Sequence, residues 1–242
     1  MATTNGNGST PLLAVEDIHT FIGQYHILEG VSVQVPAGSI TVLLGRNGAG
    51  KTTTLKSILG MTPPIRGDIL FNGRRLNGLR TYQITSQGIG YVPEYRAIFR
   101  DLSVAENLKI AERRKGDLER KADFIFRLFP DLKRLIKLPG TALSGGQQQM
   151  LAVARALVPD NRLLLIDEPS EGLAPVIIEQ MMQAIRELAA TTTILLVEQN
   201  FLMASKLADR YTIIDDGKSV QHGLMADLIH DQATIKRYLG AG

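Results

Sequence analysis

Gly45-Arg46-Asn47-Gly48-Ala49-Gly50-Lys51-Thr52-Thr53 (GRNGAGKTT) decides how this 242-residue chain is read. An apolar run, Ile40–Leu44 (ITVLL), precedes it, and a helical pattern, Thr54–Leu59 (TLKSIL), follows. A strand, a glycine-rich turn and a helix in that order form a phosphate cradle. Gly45, Gly48 and Gly50 let the backbone turn so that several N–H groups point inward at one anion. Arg46, Asn47 and Ala49 complete the lining of the same loop. The new helix aims its positive end, roughly half a charge, at that point. Lys51 is expected to reach the β- and γ-phosphates, Thr52 to offer its hydroxyl to Mg²⁺, and Thr53 to bond the α-phosphate. The bland alternative is an ordinary glycine-rich βα turn; the buried strand before it and the helix after it argue against that. The stretch predicts a nucleoside triphosphate site.

Working outward, 242 residues suit one large domain or one core with an inserted subdomain. Apolar residues make up 44%, enough for a substantial core. Lys plus Arg number 27 against 24 for Asp plus Glu, too slight an excess to argue for nucleic acid or an anionic membrane surface. With no cysteine there are no disulfides and no thiolate metal sites, which fits a reducing cytosol. No apolar run approaches the roughly 18 residues a spanning helix needs, and no signal peptide opens the chain. A membrane role is therefore expected to come through a partner.

Residues 1–11 are small, polar and glycine-rich and read as a disordered leader before a domain over 12–242. Leu12–Val15 and Ile18–Phe21 look like early strand segments. Val31–Val35 alternates at period 2 and ends in Pro36-Ala37-Gly38, so the opening is antiparallel β. Asp68–Phe71 with Asn72-Gly73 predicts a strand entering a tight turn, and Gly88–Val92 another strand, closed by Pro93. Leu118, Ala122, Ile125, Phe126 and Phe129 recur at helical steps, with Arg113-Arg114-Lys115 beside them as a solvated corner. Residues from about 97 to 158 thus read as a helical insertion. Leu163–Ile166 and Ile194–Val197 are unbroken apolar runs, as strands covered on both faces should be. Between them Ile178, Met181, Ile185 and Leu188 line one helix face. Tyr211–Ile214, an Asp216-Gly217 hairpin turn and short helices to Leu239 end the chain. The expected fold is α/β: a mostly parallel sheet flanked by helices, with an antiparallel β edge and a helical arm.

Two further motifs carry chemistry. Leu165-Ile166-Asp167-Glu168-Pro169 places two carboxylates at the end of a buried strand, where α/β folds put their ligands. Asp167 is expected to hold Mg²⁺ through water, and Glu168 to orient and deprotonate the attacking water; alone, an acidic turn after a strand would read the same way. Leu143-Ser144-Gly145-Gly146-Gln147 opens a helix whose apolar side carries Met150, Leu151, Ala154, Leu157 and Val158. Ser144, Gly145, Gly146 and Gln147 make either a second anion-seeking helix N-terminus or a capped helix start with Ser144 as N-cap. A second cradle in a chain that already has one suggests two chains meeting head to tail, the Ser144 loop of one covering the γ-phosphate held by Lys51 of the other.

With GRNGAGKT, LSGGQ and LLLIDEP in that order, the chain resembles the ATP-binding-cassette transporter ATPases from about Leu12 to the C-terminus. The resemblance implies a P-loop NTPase (RecA-like) core with an antiparallel β subdomain, an inserted α-helical subdomain and an ATP-sandwich dimer. It implies ATP and Mg²⁺ as cofactors, and membrane-spanning permease subunits as partners, one of whose cytoplasmic helices docks beside Glu94. A second ATPase subunit, identical or paralogous, and indirectly a solute-binding receptor complete the implied partners. The implied location is the cytoplasmic face of the cell membrane, and no nucleic acid is involved.

Three departures narrow the subfamily. Glu94 stands where most of these ATPases have Gln; its oxygen can still meet Mg²⁺ or the lytic water, but it brings a negative charge. Gln199, in Val197-Glu198-Gln199-Asn200, stands at the usual switch histidine; it can donate to a γ-phosphate oxygen but cannot become cationic near neutral pH. Ala174 replaces the usual Asp after the catalytic Glu. Together they resemble the smaller ATPase subunit of branched-chain amino-acid importers, which also serve amides and urea. The usual adenine-stacking position holds Ile22, with Phe21 or Tyr25 as substitutes. Alternatives are a soluble cassette ATPase acting on DNA or ribosomes, which the single cassette, compact helical arm and absent cysteines fit poorly, and a regulator that does not hydrolyse, which Glu168 argues against.

Overall fold

Unbroken apolar runs become fully buried strands in this chain, and alternating ones become strands with one wet face. The computed structural model describes residues 10–240. In chain order its elements begin β1 (Leu13–Ile22), β2 (Tyr25–Val35), β3 (Ile40–Leu44), α1 (Lys51–Ile58), β4 (Arg66–Phe71), β5 (Arg74–Arg75), α2 (Thr81–Thr85) and β6 (Ile89–Val92). Next come α3 (Val104–Lys109), α4 (Asp117–Leu128), α5 (Pro130–Arg134), α6 (Gly145–Leu157), β7 (Leu163–Asp167), α7 (Pro175–Ala189) and β8 (Thr193–Val197). The chain ends with α8 (Phe201–Leu207), β9 (Arg210–Asp215), β10 (Lys218–Leu224), α9 (Met225–Leu228), α10 (Gln232–Thr234) and a π-helical turn, Ile235–Leu239. Of the segment expected to be a leader, residues 1–9 lie outside the described residues. The elements fall into two units, one formed by residues up to Gln87 together with those from Thr193 onward, the other by Gly88–Thr192.

The first unit holds an antiparallel sheet in the order β2-β1-β4-β5 and a second layer in the order β10-β9-β3-β8. β3 is buried along its whole length because it has a parallel neighbour on each side, Ile40 opposite Ile194 and Leu44 opposite Ile213. The two early strand segments prove to be one strand, β1, with its register broken between Val15 and Ile18. Asp17 at that break has φ 47° and donates its N–H to Ser32 Oγ at 2.9 Å. Both expected tight turns form with two successive positive φ angles, at Asn72-Gly73 and at Asp216-Gly217 between β9 and β10.

In the second unit β6 and β7 pair in parallel, Ile89 opposite Leu163 and Val92 opposite Ile166. Ile125 and Phe129 anchor α4, and Met150, Leu151, Ala154 and Leu157 form the buried face of α6. On α7 Met181, Ile185 and Leu188 are buried as the period predicts, while Ile178 is half-buried. The corner at Arg113 is not simply solvated. Its guanidinium donates to the Ile89 carbonyl at 3.0 Å, and burial holds its pKa below the ordinary guanidinium value. The backbone amides of Arg113 and Arg114 both donate to Asp117, which tightens the turn into α4.

Candidate functional site

In the first unit β3 delivers the chain straight into the glycine-rich loop. Gly45 has φ 151°, and a β-carbon there would lie 2.2 Å from the Ile214 carbonyl oxygen, so no other residue fits. Gly48, with φ 81°, faces open space and is needed for its backbone angle alone. The loop is pinned by Ala49 N–H to the Arg46 carbonyl (3.2 Å) and by Gly217 N–H to the Ala49 carbonyl (3.0 Å). Gly50 caps α1 and brings no side chain to accept from its first amides, which leaves that task to a ligand. Lys51 is buried, and its Nζ donates to the carbonyls of Gly45 (3.0 Å) and Arg46 (3.1 Å). Thr52 and Thr53 follow it on α1, both half-buried. Arg46 is exposed and donates to the Arg237 carbonyl at 3.2 Å; Asn47 beside it is exposed too.

The same unit holds the other predicted positions. Val197 ends β8, and the buried Glu198 after it accepts from the amides of Gln199 and Asn200, each at 2.9 Å. Asn200 then caps α8 by accepting from Met203 N–H (3.1 Å), which leaves Gln199 presented at the surface. Phe21, Ile22 and Tyr25 sit on the β1–β2 hairpin, all exposed, with Ile22 opposite Tyr25. Phe21 stacks on His26, ring centroids 4.3 Å apart and planes 6° from parallel. Phe21 was among the expected residues and His26 was not; the place of His26 against Phe21 follows only from the strand register.

In the second unit Asp167 ends β7 with no exposed surface, and Tyr91 on β6 donates its hydroxyl to Asp167 Oδ2 at 3.3 Å. Burial, and then the Asp167 charge, push the Tyr91 phenol well above its ordinary value, so it remains a donor. Glu168 follows with φ 43°, a left-handed backbone that costs a non-glycine residue about 1–3 kcal/mol. The turn is closed by Glu171 N–H to the Glu168 carbonyl at 3.2 Å. Glu94, after β6, has its pKa raised first by desolvation and then by a hydrogen bond with Glu171 and the charges of Glu171, Glu168 and Asp167. Tyr91 and Glu171 thus join the predicted carboxylates; Tyr91 read only as a strand residue, and Glu171 only as part of a loop. Ala174 is the exposed N-cap of α7.

Ser144 caps α6. Its Oγ accepts from Gln147 N–H at 3.3 Å, and the Gln147 side chain accepts from Ser144 N–H at 3.0 Å, a reciprocal box. Gly146 is required by Ile177 on α7, 2.9 Å from where a β-carbon would sit, and Gly145 lies under Arg96. A cavity of about 570 Å³ beside Glu94 is lined by Tyr95, Arg96, Arg100, Gln148 and Glu171. Among the described residues no group of three or more His, Asp or Glu closes around a metal, and no helix is long and apolar enough to cross a membrane.

A strand, this loop and an uncapped helix bearing a buried lysine define a P-loop nucleotide-binding protein. The chain belongs to the ABC transporter family, whose model matches residues 28–171, and is an ATPase of that family. It is 40% identical over 232 residues to the high-affinity branched-chain amino acid transport ATP-binding protein BraG of Pseudomonas aeruginosa, covering 95% of this chain and 100% of that one. It is 35% identical to the probable branched-chain amino acid transport ATP-binding protein LivF of Archaeoglobus fulgidus, over 90% of this chain and 94% of LivF. Among solved structures, the ADP conformation of the cassette MJ1267 superposes with a TM-score of 0.83 at 23% identity, covering 94% of this chain and 98% of that one. The cassette MJ0796, dimeric in a post-hydrolysis state with ADP and phosphate, gives 0.78 at 22%, covering 88% and 98%.

Proposed function

We propose that the chain is the ATP-hydrolysing subunit of a membrane importer for branched-chain amino acids or related small amides, working peripherally on permease subunits. The single observation that carries this reading is its 40% identity to BraG over that protein's whole length. The loop supports the nucleotide half of the reading. Lys51 turns from the Gly45 and Arg46 carbonyls to the β- and γ-phosphates, and the uncapped amides of α1 receive the same charge.

The residues present fit Mg²⁺. A buried carboxylate, Asp167, meets the charges of Glu94, Glu168 and Glu171 in one cluster, a donor set suited to a hard cation. Mg²⁺ takes one or two carboxylates and fills its shell with phosphate and water, so a closed cage of three ligands is not required. Asp167 and Glu94 would hold it, and it would supply neutralisation of charge developing on the phosphates. Glu168, held at φ 43° by the turn after β7, orients the attacking water and accepts its proton. Gln199, presented at the surface, donates to a γ-phosphate oxygen.

Ser144 completes the reading. Its cap bond to Gln147 N–H, at 3.3 Å, is longer than the ordinary range of about 2.7–3.2 Å, so a phosphate from a second subunit displaces it at little cost. The dimer of MJ0796 supports such a pairing, and the cavity beside Glu94 suits a permease helix. The test is co-purification with permease subunits and receptor, followed by uptake into vesicles loaded with ATP. Leucine, isoleucine, valine or a short amide should be taken up and uptake should stop with Glu168→Gln; a complex that moves none of these overturns the proposed cargo.

A further inference from the structure

We propose that the C-terminal turn belongs to the nucleotide site: its Arg237 carbonyl holds Arg46, and through Arg46 it keeps the phosphate loop in the shape that receives a nucleotide. The contact joins residues 191 apart in sequence, Arg46 Nη2 donating to the Arg237 carbonyl at 3.2 Å. Both lie in the first unit. The Arg46 carbonyl, at the other end of the same residue, accepts from Lys51 Nζ at 3.1 Å and from Ala49 N–H at 3.2 Å. Arg46 therefore links the lysine of the loop to the end of the chain.

The loop is steadied from outside along its length. Gly45 is packed against the Ile214 carbonyl of β9, and the Ala49 carbonyl accepts from Gly217 N–H in the β9–β10 turn. Arg46, exposed between them, takes its hold from the C-terminal turn. The last residues of a chain ordinarily fray unless they are tied down, and these are tied. Ile235 is buried, Thr234 Oγ1 lies 3.1 Å from Gln221 Oε1 on β10, and Gln221 Nε2 donates in turn to the Tyr211 hydroxyl on β9 at 3.0 Å. The Arg237 guanidinium is turned onto the Tyr238 ring, 4.9 Å from its centroid, so what the turn offers Arg46 is backbone. The turn is π-helical, a rare form that frequently marks a functional position.

An untethered, exposed arginine would leave its own peptide unit free to take many arrangements. Fixing one of them before the ligand arrives lowers the ordering cost of binding and so raises affinity. Once phosphates fill the loop, its amides are held by them, and the tether bears on binding rather than on the bond-breaking step. Arg46 is a positioning residue in this scheme, acting through the loop backbone. The scheme needs only the nucleotide site and is independent of the importer and its cargo.

The experiment is calorimetric titration of the purified full-length chain with ADP in excess Mg²⁺, which reads affinity without hydrolysis. Arg46→Met should weaken ADP by about three- to tenfold, and in ATP hydrolysis the loss should fall on KM rather than kcat. Ending the chain after Ile235 keeps that buried side chain and the charge of Arg46 but removes the carbonyl. It should weaken ADP to the same extent, and the two changes together should weaken it no further. Lys236→Ala, which takes a cation from the same turn, should bind ADP as the parent does. If the shortened chain fails to fold, salt decides on the full chain. A bond to a neutral carbonyl is little screened, so the ratio of parent to Arg46→Met affinity should hold between about 0.05 and 0.5 M salt. A direct pull of the guanidinium on the phosphates would instead shrink that ratio toward one. Unchanged ADP affinity in Arg46→Met, additive losses in the double change, or a ratio that collapses in salt overturns the assignment. Failure of the importer reading is seen elsewhere, in vesicle uptake, and leaves these heats unchanged.

Discussion

Gly45→Ala adds one carbon at a point 2.2 Å from the Ile214 carbonyl oxygen. Carbon and oxygen ordinarily approach no closer than about 3.3 Å, so roughly 1.1 Å of overlap must be absorbed. β9 cannot slide to absorb it, because β3 holds it on one side and β10 on the other. Losing two ladder bonds at about 0.5–1.5 kcal/mol each, with backbone strain of about 1–3 kcal/mol, brings the cost to about 2–6 kcal/mol. Gly48→Ala is the control. Nothing lies within 4 Å of its added carbon, and only the φ of 81° is disfavoured, at about 1–2 kcal/mol. In a domain of this size 1 kcal/mol moves Tm by about 2–4 °C, which predicts a fall of about 4–24 °C for Gly45→Ala and about 2–8 °C for Gly48→Ala, with Gly45→Ala the larger. Thermal unfolding without nucleotide reads both. Equal falls, or a larger one for Gly48→Ala, would mean that contact with Ile214 does not shape the loop.

Glu168→Gln should keep ATP binding and lose about 10²–10⁴ in turnover, the worth of a general base, or roughly 3–5.5 kcal/mol of barrier; phosphate release measures it. Because Gln199 does not titrate, hydrolysis should carry no rate limb from a switch histidine between about pH 6 and 8, and a steep limb in a pH–rate profile would contradict its role. For Glu94 the folded pKa is raised, so its protonation favours the fold; that contribution is complete below the ordinary carboxylate range and is lost as pH rises through the raised value. Glu94→Gln should therefore melt higher than the parent at neutral pH without Mg²⁺ and gain less from adding it. Asp117 is the opposite case, its pKa lowered first by the Arg114 amide and then by Arg120. Its contribution is present above the ordinary Asp value and lost as pH falls through the depressed one, so Asp117→Asn should flatten the acid limb of a stability–pH curve.

What could be read from residues alone depended on how local the physics was. β3, β7 and β8 were legible because an unbroken apolar run has one stable destination. The phosphate loop was legible because three glycines, a lysine and a threonine at fixed spacing leave few other uses. β1 was read as two pieces because a register break at Asp17 looks like a turn in sequence and becomes a bulge only when β2 and β4 pair across it. Arg113 was read as solvated because its partner, the Ile89 carbonyl, is 24 residues away. Tyr91 and Glu171 are illegible in sequence for the same reason: their importance comes from what β6 and the turn after β7 place beside them. Ser144 is instructive in another way. Both readings of the motif, cap and anion site, rest on one oxygen, and that oxygen accepts from Gln147 N–H as a cap.

The site residues share one physical condition. Lys51 donates to loop carbonyls, the pKa of Glu94 is raised first by burial and then by its hydrogen bond with Glu171 and the negative charges beside it, and Ser144 accepts a long bond from Gln147. Each is a weaker arrangement than the one a cation-bound triphosphate offers, so ligand binding replaces poor partners by better ones at every point. A ligand that binds only the folded chain stabilises it by about 2.7 kcal/mol at a hundred times its Kd. For a domain of this size that corresponds to a rise of about 5–11 °C in Tm. ATP without a divalent cation should give less, because its negative charges then go unneutralised. EDTA should therefore remove more of the ATP-induced rise from the parent than from Glu94→Gln, and an equal loss in both would show that Glu94 does not face the cation.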